Sequence, residues 1–117
     1  MKNLIIPFIF LIFTQVSFAQ CNNVDEAKIN ALTDKVSKQH LDNNKLKLIQ
    51  DYLNTDCIKS AQLLILIKSL NFEEDKITII KKAYSKLVDP QNISEVLKLL
   101  EFESSKKEIQ TFIQGLK

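Results

Sequence analysis

The chain has 117 residues, 45% of them hydrophobic, with a formal net charge of +2, one Gly and two Pro. That length holds one small domain, and so little Gly and Pro excludes a strand-rich fold, which needs repeated turn signals. All 16 basic residues are Lys and face 14 acids, which leaves no basic footprint for nucleic acid and no Arg to grip phosphate in two-pronged fashion.

In chain order, Met1-Lys2-Asn3 is a short basic start, Leu4 to Phe13 is apolar apart from Pro7, and Ser17 and Ala19 stand at the positions a signal peptidase reads. Residues 1–19 are expected to be a secretory signal and residues 20–117 a single helical domain. The apolar stretch is shorter than the ~20 residues that span a bilayer, which argues against a retained anchor. Gln20 replaces the small residue that lipoprotein signals place before the cysteine, so membrane attachment is expected only if Cys21 is lipidated.

The mature chain carries Cys21 and Cys57. An even count in an exported protein suggests an intramolecular disulfide; the rival reading is two unpaired thiols. A first helix is expected from Asn23, with Glu26 placed as in a capping box and Ile29, Leu32 and Val36 on one face. A second follows Asp42 with Leu46, Ile49 and Leu53 inward. The third, about Ser60 to Leu70, is apolar nearly all round and is expected at the centre of the fold. The fourth follows Glu73 with Ile77, Ile80, Tyr84 and Leu87 in register. Asp89-Pro90 reads as an N-cap and first helical residue opening a fifth helix with Ile93, Val96, Leu97 and Leu100. Ser105 and Glu108 suggest a capping box for the last helix, which carries Ile109, Phe112, Ile113 and Leu116.

One phrase recurs between these helices. Leu41-Asp42-Asn43-Asn44-Lys45-Leu46 returns as Phe72-Glu73-Glu74-Asp75-Lys76-Ile77 and as Phe102-Glu103-Ser104-Ser105-Lys106, at offsets of 31 (72 minus 41) and 30 (102 minus 72). A fixed period of about 30 residues marks stacked supersecondary units, none of which can bury its apolar face alone. The expected fold is therefore all-α, about six short helices as three stacked helical hairpins. Leu41, Phe72 and Phe102 are expected in equivalent buried elbows, where Phe72→Ala would cost ~3–5 kcal/mol as for a core aromatic. The acid after each elbow falls where the helix dipole favours negative charge.

Residues able to carry chemistry are few. His40 is the only histidine and ends the first helix, where it is expected to satisfy loose carbonyls. A Cys57–His40 nucleophilic pair has no local signature. Glu73-Glu74-Asp75 lacks the spacing of a calcium loop, and a single Gly, at position 115, rules out a glycine-rich phosphate loop. Tyr84, expected in the core with its hydroxyl bonded at a helix end, and His40 are the candidate surface-site residues. No catalytic, cofactor-binding or metal site is expected, and no cofactor.

Ser60-Ala61-Gln62-Leu63, Leu70-Asn71-Phe72-Glu73, Lys76-Ile77, Ala83-Tyr84, Asp89-Pro90-Gln91-Asn92 and Phe102-Glu103 together resemble the domain of unknown function 4476 family, over about residues 41–114. The sequence departs from the family pattern in placing Lys76 and Lys106 where Arg is frequent, and Leu41 at the first elbow instead of an aromatic. The resemblance implies a small helical domain of bacterial exported proteins and brings no activity, ligand or catalytic residue. The resulting expectation is a non-enzymatic module, periplasmic or secreted, that binds a protein or peptide, since stacked helical hairpins present extended surfaces. The alternative is an envelope-associated module binding cell-wall polymer or membrane, with an enzyme last because no nucleophile, base and orienting group come together.

Overall fold

The computed structural model describes residues 21–117. The expected signal segment, 1–19, lies outside the described residues. Six α-helices form where the apolar residues recur at helical spacing: α1 Glu26–Ser37, α2 Asp42–Thr55, α3 Ser60–Lys68, α4 Glu73–Tyr84, α5 Ile93–Leu97 and α6 Glu103–Gly115, with a 3₁₀ turn at Pro90–Asn92 before α5. The fold is all-α.

The helices lie in two rows. α2 packs on α4 and α4 on α6; α1 packs on α3 and α3 on α5, with α1 also against α2 and α3 against α4. These contacts follow the order that stacked helical pairs would give. Two of the connections also pair. The α2–α3 segment runs beside the α4–α5 segment, where Ile58 N–H donates to Lys86 C=O and Val88 N–H to Ile58 C=O, both at 3.0 Å. That short parallel pairing satisfies backbone groups that burial of Ile58 and Leu87 would otherwise leave without water.

The core runs through both rows. Ile29, Leu32 and Val36 of α1 meet Leu63, Leu66 and Ile67 of α3 and Ile49 and Leu53 of α2, and continue into Ile79, Ile80, Ala83, Val96, Leu97 and Ile109. Each fully buried Leu or Ile contributes about 1.5–3 kcal/mol relative to exposure. α3 is the middle helix of its row, as its composition requires, yet Ile65 points outward and is 53% exposed. Burial on α4 centres on Ile79, Ile80 and Ala83, since that helix is covered on two sides.

Several helix starts differ from the sequence expectation. α1 opens at Glu26 with Asp25 as N-cap, its carboxylate accepting from Lys28 N–H at 3.1 Å, so neither Asn23 nor the Glu26 box caps it. α6 opens at Glu103, two residues before Ser105, which is buried inside the first turn. The disulfide is present: Cys21 and Cys57 are joined with their Cα atoms 5.6 Å apart. It fastens the segment before α1 to the connection leading into α3.

Candidate functional site: the elbow edge

Each repeated phrase opens a helix of the α2–α4–α6 row. Leu41, Phe72 and Phe102 are the N-cap residues of α2, α4 and α6, all with extended backbone near φ −100°, −105° and −106°. None is buried. Leu41 and Phe72 are 64% exposed and Phe102 is 56% exposed, which corrects the expectation of three core elbows. The physical reason lies in the residue that follows. Asp42 and Glu73 turn inward in place of the apolar side chain before them.

Asp42 is 6% exposed, and its carboxylate accepts from the backbone N–H of Asn71 at 2.9 Å, of Phe72 at 3.1 Å, and from the Asn71 amide at 3.1 Å. Glu73 repeats this one unit later, accepting from the N–H of Glu101 at 3.0 Å and of Phe102 at 3.2 Å. Each acid therefore holds the next elbow open by satisfying its orphan donors. Burial alone would raise the pKa of both carboxyls; the N–H donors outweigh it, and both lie below their ordinary values. Lys45, also buried, donates to the Ser69 carbonyl at 2.6 Å and so caps the C-terminus of α3 from the neighbouring helix. Glu103 has no following elbow to hold. Its side chain is 89% exposed and pairs with Lys106 at 3.3 Å.

The remaining sequence candidates fall elsewhere. Asp89 precedes the 3₁₀ turn but makes no side-chain cap to it; one carboxylate oxygen accepts from Ser60 N–H at 2.8 Å and the other from the Asn92 amide at 3.0 Å. It thus caps α3 rather than α5, a correction with the same logic as Asp42 run in the opposite direction. Burial pushes its carboxyl up, Asn92 and Ser60 pull it down, and the net result is a lowered pKa. Asp89, Ser60, Ala61, Leu64, Asn92 and Glu95 line an open surface cavity of about 270 Å³, but its carboxylate is already occupied by these two donors. Pro90 is the first residue of the 3₁₀ turn.

His40 is exposed in the α1–α2 connection, and Tyr84 is half-buried against the core. The buried tyrosine that sequence reasoning passed over is Tyr52, whose hydroxyl donates to the Cys57 carbonyl. Burial, with the charges of Asp56, Asp25 and Glu26, pushes its hydroxyl up to about 12. Among the described residues no group of three or more His, Cys, Asp or Glu is placed to hold a metal ion, and no helix is long and apolar enough to cross a membrane.

The model of the family described as Domain of unknown function (DUF4476) matches residues 23–113. The chain belongs to that family, and the match takes in α1 as well as the region from residue 41 that carried the resemblance. No curated protein and no solved structure matches the chain.

Proposed function

We propose that this member of the DUF4476 family is an exported, non-enzymatic module that binds a protein or peptide through its elbow edge. The observation that carries this reading is the exposure of Leu41, Phe72 and Phe102 at one register of the repeat. A large apolar side chain at an N-cap gives its helix no capping hydrogen bond, and Ser, Asp or Asn would serve the helix better. Three such residues at one register, with Phe72 and Phe102 held by the Asp42 and Glu73 carboxylates, fit a contact surface better than a folding requirement. The disulfide supports export, because such bonds persist in oxidising compartments.

The test compares the parent with a variant carrying Leu41→Ser, Phe72→Ser and Phe102→Ser. Both are first melted to establish the fold and then used for affinity capture from the cell envelope. The expected result is a variant that melts at or above the parent temperature and no longer retains the partner. A folded variant that retains the same partner would contradict the proposal.

A further inference from the structure

We propose that the partner presents apolar side chains about 10 Å apart with cationic side chains beside those that meet Phe72 and Phe102. This inference rests on the elbow edge being the contact surface and adds the chemistry of what it contacts. α2 packs on α4 and α4 on α6; packed helices in general lie about 8–10 Å apart, so their equivalent N-caps are expected to recur at about that interval. A polyproline-type segment rises ~3.1 Å per residue with three residues per turn, so every third side chain returns to one face at ~9.3 Å. A β-strand does not match, because its same-face residues recur at ~6.6–6.8 Å.

The charge around the elbows is uneven. Within two positions of each elbow the sequences are Gln39-His40-Leu41-Asp42-Asn43, Leu70-Asn71-Phe72-Glu73-Glu74 and Leu100-Glu101-Phe102-Glu103-Ser104, with no Lys in any of them. Asp42 and Glu73 are taken up by elbow N–H groups. Glu74, Glu101 and Glu103 are exposed, and all three flank Phe72 or Phe102. The nearest lysines before and after each elbow, three or four positions away, are Lys38 and Lys45, Lys68 and Lys76, and Lys98 and Lys106. Of these, Lys38 is paired with Asp34 and Lys98 with Glu95 on their own helices. Glu103 is shared with Lys106. Immediately beside the elbows the edge is therefore nearly neutral at the Leu41 end and acidic at the Phe72–Phe102 end. An anionic membrane would be repelled at that end, whereas a Lys- or Arg-bearing segment would be attracted.

The experiment uses a synthetic peptide of four Lys-Pro-Leu units, one with Glu in place of Lys, and one with Ser in place of Leu. Each is titrated by fluorescence anisotropy into the mature disulfide-bonded protein. The Lys-Pro-Leu peptide is expected to bind about tenfold or more tightly than either control, and to weaken several-fold between low and high salt. Glu74→Gln with Glu101→Gln is expected to narrow the gap between Lys and Glu peptides, with the melting temperature unchanged, since neither side chain holds a backbone group. Equal binding of the Lys and Glu peptides, or a double variant that discriminates like the parent, overturns the charge assignment. If the partner captured from the envelope is nonetheless lost with the Ser-substituted elbows, the contact surface stands and only its stated chemistry falls. Failure of the surface itself shows differently, as unchanged capture by that folded variant.

Discussion

Asp75 lies against Asp42 on the first turn of α4, and the two carboxyls are pushed in opposite directions. Burial, the hydrogen bond with Asp42 and the charge of Asp42 raise the Asp75 pKa, while the elbow N–H groups hold that of Asp42 down against its own burial. The signs follow from linkage. A lowered folded-state value, as for Asp42 and Glu73, adds stability above the ordinary carboxylate pKa of ~4 that is lost as pH falls through the folded value. A raised one, as for Asp75, leaves stability intact below ~4 and removes it as pH rises through the folded value. At the equivalent position the next unit has Ser105, which bonds Glu73 without a charge. Asp75→Asn is therefore expected to stabilise the protein at pH 7 by up to about 1 kcal/mol, and the gain should vanish in urea melts near pH 4. A variant no more stable than the parent at pH 7 would show that the two carboxyls do not oppose one another.

At the scale of elements, the helices were legible and their caps were not. Apolar spacing identified all six helices because burial on one face is a local periodic signal. Apart from Asp25 at α1, the capping is long-range: Asp42 serves the elbow at Phe72, Glu73 that at Phe102, and Asp89 the start of α3. Periodicity along one helix carries no information about a donor about 30 residues away. The repeated apolar–acid pair was visible, but its two members exchange the roles that hydrophobicity alone assigns. The cysteines were a different case, since their even number, with the expectation of export, made the pairing legible. Closing a loop at a separation of 36 residues is worth ~3–4 kcal/mol in the chain-entropy model. Reduction, or Cys57→Ser, should lower stability by about that amount and leave far-UV circular dichroism unchanged at low temperature. A loss below ~1 kcal/mol would place the stabilisation elsewhere.

For the whole molecule, the repeat accounts for both closure and exposure. At one register Leu46 and Ile77 are followed by Lys107, at another Ile49 and Ile80 by Gln110, and at a third Leu53 and Tyr84 by Gln114. The last unit thus turns polar where the first two are apolar, as a capping unit of a stack must to stay soluble. The elbows show no such change. They remain Leu, Phe and Phe through all three units, although nothing among the described residues covers them. Sequence could show that this register is repeated, but not that it faces outward. At Phe72 and Phe102 the carboxylates of Asp42 and Glu73 decide that, and their partners emerge only from the packing of α2 on α4 and α4 on α6. The most direct measurement is a set of urea melts of the parent, Phe72→Ala and Asp42→Ala at pH 7. Phe72→Ala should fall within about 1 kcal/mol of the parent, as an exposed position does. Asp42→Ala should lose about 1–3 kcal/mol, because the Asn71 and Phe72 N–H groups are left without an acceptor. A Phe72→Ala loss of ~3–5 kcal/mol beside a neutral Asp42→Ala would place the aromatic in the core and contradict the outward elbow.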